Sequence, residues 1–293
     1  MKHLIKTVTV ALVLLATVSC KKEQKQTEEN TVANDTVAKT EQRIISLNGA
    51  LTEMVSALGH QDEIVGVDVT STYPEQLKES AQNLGHTSKI SIESIMALQP
   101  TLVLATREGI SPELIEKIEL SGITTYVFER EFSPYGAKKT VAEVADILDS
   151  KNVKEVQDKI DADLAKIVPL EKAQKVLFIY AGHGPLMVSG KNTPVDKVIT
   201  LAGGTNAIEG FDDYKPLTPE ALVKGNPDVI LMFNSGLASL SGIDGVLKIQ
   251  GIAETNAGKN KNVIAMDGGL LAGFGPRLGE AALELNSKLS ENK

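Results

Sequence analysis

Four histidines and a single cysteine are the side chains of this sequence best suited to metal or nucleophilic chemistry. His183 lies in Tyr180-Ala181-Gly182-His183-Gly184-Pro185, directly after the apolar run Val176 to Tyr180. His86 lies in Leu84-Gly85-His86-Thr87-Ser88-Lys89, ahead of a short helical pattern. His60 follows Gly59 at a helix end, and His3 sits near the start of the chain. Neutral imidazole ligates iron or zinc. Loops at the carboxyl ends of parallel strands are where open α/β sheets hold small ligands, and His183 occupies such a loop. A lone loop histidine is more often a solvated polar residue than a ligand. One in each half of the chain strengthens the ligand reading.

Catalytic motifs are missing. There is no GxxxxGK phosphate loop, no GxGxxG after a strand, no GxSxG elbow and no HExxH. Leu201-Ala202-Gly203-Gly204 and Asp267-Gly268-Gly269 read as turns. A zinc or manganese carrier needs three or four clustered ligands, which two histidines in separate halves do not supply. The net charge of −8 lacks the basic footprint of a nucleic-acid binder. The expectation is a binding protein, not an enzyme.

The elements that must position these residues alternate along the chain. Strands are expected at Ile44–Leu47, Ile64–Val67, Leu102–Ala105 and Thr124–Phe128, with helices at Leu51–Leu58, Ile92–Leu98 and Pro112–Leu120 between them. Residues 138–172 carry an uninterrupted helical stripe, Val141, Val144, Ala145, Leu148, Val153, Val156, Ile160, Leu164 and Ile167, as far as Pro169. The alternation then restarts with strands at Val176–Tyr180, Val229–Phe233 and Val263–Ala265 and helices at Val195–Leu201 and 278–290. This predicts two α/β lobes, 43–137 and 173–293, joined by helix within 138–172. Each half repeats one phrase, Ser91 to Leu104 and Thr218 to Leu231: a hydroxyl cap, a short helix bearing Glu93 or Glu220, a proline, then a strand.

The amino terminus is different. Lys2 and Lys6 precede an apolar run, Val8 to Val18, too short to span a bilayer. Small residues and Cys20 follow, the pattern of a signal peptide over residues 1–20, and it resembles a bacterial lipoprotein signal in which Cys20 takes the lipid. Thr17 stands where such signals usually carry leucine. Residues 21–42 are polar without an apolar face and read as a flexible tether. With no other cysteine, the folded body has neither disulfides nor thiol chemistry.

Several phrases carry a family resemblance over nearly all of residues 43–290. They are Arg43 to Leu47 with Thr52-Glu53, Ser71-Thr72-Tyr73-Pro74, Gly85-His86-Thr87, Gly182-His183-Gly184, Met187-Val188-Ser189-Gly190, Leu201 to Ala207, Tyr214-Lys215-Pro216-Leu217 and Gly273-Phe274-Gly275-Pro276-Arg277. Together they resemble the haem-binding members of the periplasmic binding proteins that also serve cobalamin and ferric siderophores. The resemblance implies the class III plan, two Rossmann-like lobes joined by a long rigid helix, with the ligand in the cleft. It implies haem as the transported ligand, with cobalamin or a ferric siderophore as the alternative. Histidine is a usual axial ligand of haem iron. The second-lobe ligand of the family falls on His183. The first-lobe tyrosine of the family is replaced by His86, which leaves His86, Tyr73 or no first-lobe residue as partner. Lys89 and Arg277 are candidates for haem propionates. Glu93 and Glu220 match the acids that dock on the permease of an ABC transporter and its ATPase. The expected location is the periplasmic face of a bacterial membrane, anchored through lipid on Cys20.

Overall fold

A computed structural model describes residues 41–182 and 184–291; the signal segment with Cys20, most of the tether and His183 lie outside the described residues. Two separate sheets hold the body together. In the first, β1 (Ile44–Ser46), β2 (Ile64–Val67), β3 (Gln82–Asn83), β4 (Leu102–Thr106) and β5 (Thr124–Phe128) are all parallel, in the order β3-β2-β1-β4-β5. In the second, β6 (Lys175–Tyr180), β7 (Met187–Ser189), β8 (Thr205–Asn206), β9 (Tyr214–Pro216), β10 (Val229–Phe233) and β11 (Val263–Met266) follow the order β11-β10-β6-β7-β9, with β8 also paired to β6. Here β11, β10, β6 and β8 are parallel, while β7 pairs antiparallel with both β6 and β9. The central strands are apolar runs buried on both faces, as parallel sheets covered by helices require: every residue of β4 is buried, and Val229 to Met232 are 0% exposed.

Local chemistry sets the helix starts. The pairs Ser111-Pro112, Ser133-Pro134, Thr193-Pro194 and Thr218-Pro219 each place a hydroxyl at the N-cap and proline in the first turn. The hydroxyl accepts from a free amide, and proline gives up only a donor that had no partner.

The repeated phrase is a repeated structure. Ser91 caps the Ile92–Met96 helix as Thr218 caps Pro219–Gly225, and Ile95 and Leu222 are both buried at 0% exposure. Each phrase turns through a left-handed residue, Gln99 or Asn226, before its proline. The amide of Thr101 then donates to the Arg43 carbonyl at 2.9 Å, and that of Asp228 to the Lys175 carbonyl at 2.8 Å. In return Arg43 N–H donates to Thr101 Oγ1 and Lys175 N–H to Asp228 Oδ2, both at 3.0 Å.

The join between lobes is helical but folded in two. Residues 138–172 contribute to two helices, Pro134–Leu148 and Val153–Leu164, separated by a left-handed Asp149. Lys138 Nζ meets the Asp161 carboxylate at 2.8 Å and Gln157 Nε2 donates to the Lys138 carbonyl at 2.9 Å, so the helices form a hairpin. The apolar stripe jumps five positions, from Leu148 to Val153, where Asp-Ser-Lys-Asn turns the chain. Ser150 Oγ and Asn152 Nδ2 donate to the carbonyls of Leu58 and Ala57 and cap the Gly49–Ala57 helix. Both helices enter both cores. Ala137 and Ile160 pack in the second lobe, and Val141, Val144, Ala145, Leu148 and Val156 in the first. The last helix, Leu278–Glu291, lies so close to this hairpin that a Cβ on Gly279 would sit 2.6 Å from the Ile160 carbonyl oxygen.

Candidate functional site

The carboxyl ends of the strands carry the candidate ligand surface. Tyr180 and Phe233 are the last residues of β6 and β10, neighbouring parallel strands, and their rings meet edge to face at 6.0 Å. Phe178 lies beneath, 4.9 Å from Phe233 and 6.5 Å from Tyr214 on β9. The chain has five tyrosines, six phenylalanines and no tryptophan, so four of its few aromatics share this wall. Phe178 is buried at 1%, whereas Tyr180 and Tyr214 remain 45% and 39% exposed. Burial pushes the Tyr214 phenol above its ordinary value, with Thr193 and Arg130 pulling the other way. The Tyr180 ring folds over Gly182, where a Cβ would lie 2.8 Å from the phenol oxygen. The loop of His183 therefore begins against this wall, although His183 itself is not described.

The opposing loops follow β2 and β3. A buried hydroxyl network shapes the first of them. Thr52 Oγ1 donates to Ser46 Oγ at 2.8 Å and pairs with Ser71 Oγ at 2.7 Å. Ser71 and Thr70 hydroxyls then donate to the two Asp68 carboxylate oxygens at 2.8 and 2.6 Å. This loop presents Tyr73, 47% exposed. His86 starts the next turn, held beside it where the Val69 amide donates to the Gly85 carbonyl at 2.9 Å. His86 and Lys89 are exposed, and Lys89 has no polar partner among the described residues.

Arg277 already pairs with a carboxylate of the protein. Its guanidinium crosses the seam between lobes and donates to Glu53 Oε1 and Oε2 at 2.5 and 3.0 Å, with the two side chains 15% and 7% exposed. It also stacks 3.9 Å from the Tyr73 ring centroid. Burial lifts the Glu53 carboxyl above its usual range, and Arg277 recovers only part of that cost. A second arginine bridges in reverse. Arg130, after β5, donates to the carbonyls of Ala272 and Gly273 at 3.2 and 2.6 Å and lies over Phe132, whose ring meets Phe274 edge-on at 5.4 Å. Burial lowers the Arg130 pKa, opposed by Glu108 and Tyr214. Sequence reasoning missed Arg130, Tyr214 and the aromatic wall. The scarcity of aromatics and the phrase that carries Tyr214 were the available signals.

Glu93 and Glu220 occupy the same position, two residues after their caps, and both are exposed. A helix that feeds a parallel strand runs back along the sheet, so both acids lie toward the strand carboxyl ends. The Glu93 carboxyl is held below its usual range by its own backbone N–H and the Ser91 hydroxyl. Glu113 has the same arrangement with Ser111, so capping alone accounts for the conformation. A cavity of about 590 Å³ lined by Pro169, Lys172, Asp228 and Asn262 opens instead at the amino ends of the second sheet, away from the candidate surface. No group of three or more His, Cys, Asp or Glu is placed to hold a metal ion among the described residues, and no helix there is long and apolar enough to cross a membrane.

The model of the periplasmic binding protein family matches residues 44–269. The periplasmic heme-binding protein RhuT from Roseiflexus sp. RS-1, in apo form, superposes with a TM-score of 0.82 at 34% identity, covering 86% of this chain and 99% of that one. The uncharacterised ABC transporter substrate-binding lipoprotein YvrC of Bacillus subtilis is 28% identical over 85% of this chain and 80% of its own length. A vitamin B12-binding protein of Vibrio campbellii is 32% identical over 67% of this chain and 74% of its own.

Proposed function

This chain belongs to the periplasmic binding protein family, and on that premise we propose that it captures haem between its lobes and delivers it to an ABC importer. The substrate-binding role is that of the family. The choice of haem rests on the wall of Tyr180, Phe233 and Tyr214 at the strand carboxyl ends, beside the loop of His183. Partly exposed rings at this spacing suit a flat macrocycle, since offset or edge-on aromatic contacts add about 0.5–1.5 kcal/mol beyond burial. The likeness to a heme-binding protein over 86% of the chain supports the same choice.

In this reading His183 ligates the iron from the second lobe, and His86 answers from the first, with Tyr73 the alternative. Lys89 pairs with a propionate in place of Arg277, which is committed to Glu53. Glu93 and Glu220 dock on the permease, one from each lobe. Cys20 carries the lipid that keeps the protein at the periplasmic face of the membrane, as the lipoprotein name of YvrC supports.

An optical titration of apo-protein with haemin, with cyanocobalamin as the competing ligand, tests this. A sharp Soret band that saturates, weakened by His183→Ala and by His86→Ala, is the expected result. A bis-imidazole site gives a low-spin spectrum; a high-spin spectrum assigns the first-lobe position to Tyr73. An unchanged Soret maximum and affinity in both histidine variants sinks iron ligation by these residues. The vitamin B12-binding relative favours cobalamin as the second reading, and saturable cobalamin binding without a haemin response would select it.

A further inference from the structure

We propose that Met96 and Val223 are the apolar half of the face that docks on the membrane subunits, a role resting on the importer reading above. On each of the two repeated helices an exposed acid is followed one turn later by an exposed apolar side chain: Glu93 by Met96, 43% exposed, and Glu220 by Val223, 69% exposed. Residues three apart share a helix face. Solitary exposed apolar residues are ordinary; the repetition of this pair at matched positions on both lobes is not. Ile95 and Leu222 between them are wholly buried, so the core demands an apolar residue there and makes no demand on Met96 or Val223.

Glu113 supplies the comparison inside the molecule. Its helix has the same hydroxyl cap and the same acid two residues on, but the residue three further along is Glu116, also exposed. Capping chemistry thus recurs without the apolar partner. Two like patches on one chain fit two like receptors, and acids flanked by apolar knobs fit cationic side chains set in an apolar rim. On the importer reading, its paired membrane subunits are the partner this face would meet. The acids steer the encounter, and the knobs hold the complex once water is expelled.

The test uses the lipidated chain and its permease–ATPase complex in liposomes, reading association and stimulated ATP hydrolysis. Met96→Gln with Val223→Gln should weaken association on the order of tenfold per side chain, leave haemin binding and the melting temperature unchanged, and act equally at low and high salt. Glu93→Lys with Glu220→Lys should lose association in a salt-dependent way. Val168→Gln, at an exposed apolar side chain outside both repeated helices, should do nothing. Met96→Leu with Val223→Ile should dock normally. Wild-type association by the glutamine pair alone overturns this inference and leaves the importer reading standing. Absence of docking by wild type overturns both, and indifference to the charge reversal overturns this inference alone.

Discussion

Removing Arg277 tests whether the lobes are bolted across their seam. Its guanidinium and the Glu53 carboxylate are 15% and 7% exposed and bonded through two contacts. Exposed ion pairs contribute about 0–1 kcal/mol. Stranding one charge of a buried pair costs about 3–5 kcal/mol, because the remaining ion keeps its desolvation penalty and loses its partner. Arg277→Met should therefore destabilise by several kcal/mol, with part of the loss coming from the stacked Tyr73 ring, about 0.5–2 kcal/mol. Glu53→Gln should cost a similar amount by stranding the cation. The double variant should cost less than the two singles added, by up to about 3 kcal/mol, since neither charge is then left alone. With no tryptophan in the chain, far-UV circular dichroism in urea is the suitable readout, with midpoint and slope both recorded. A loss below about 1 kcal/mol for Arg277→Met, or strict additivity in the cycle, would refute the reasoning.

Three further outcomes follow from named contacts. Ile160→Ala should destabilise by about 2–5 kcal/mol in the same urea assay, because Ile160 is 0% exposed where the hairpin enters the second-lobe core. Lys159 and Lys166 hydrogen-bond the Asp163 carboxyl and hold it below its ordinary value of 3.8. Its contribution is thus present above that value and lost as pH falls through the folded pKa, so Asp163→Asn should lower stability near neutrality and flatten acid unfolding in that window. Gly182→Ala should lower haemin affinity by roughly 2–10-fold through displacement of the Tyr180 ring, with little change in melting temperature; unchanged affinity would remove Tyr180 from the ligand surface.

The strands were legible because their chemistry is local. Ile64–Val67, Thr124–Phe128 and Val229–Phe233 are apolar or β-branched runs between turn formers, and they occupy those bounds in the structure. The repeated phrase was legible for the same reason, down to the matching caps. The turn at Asp149 was hidden. Hydrophobic periodicity tolerates one long step, and no glycine or proline marks the break between Leu148 and Val153. The Asp-Ser-Lys-Asn cluster carried that signal, as turn-forming side chains do, and it is satisfied by carbonyls of a helix about ninety residues away.

The site divides along the same line. Glu93 and Glu220 could be placed from sequence because each is fixed by a cap two residues earlier. Tyr180, Phe233 and Tyr214 could not, because they become neighbours only when β10 pairs along one edge of β6 and the β7–β9 ribbon along the other. Arg277 shows the reverse case. Beside Pro276 at a helix start it reads as an available cation, yet the fold brings it to Glu53, 224 positions earlier in the chain. A charge with a buried partner resists recruitment by a ligand, since a propionate would have to replace a carboxylate already held by two hydrogen bonds. Lys89, exposed and unpaired among the described residues, meets no such competition. Haemin affinity should therefore fall with Lys89→Ala and stay level with Lys89→Arg, while Arg277→Lys should act mainly on stability. A larger loss of haemin affinity from Arg277→Lys than from Lys89→Ala would return the propionate to Arg277.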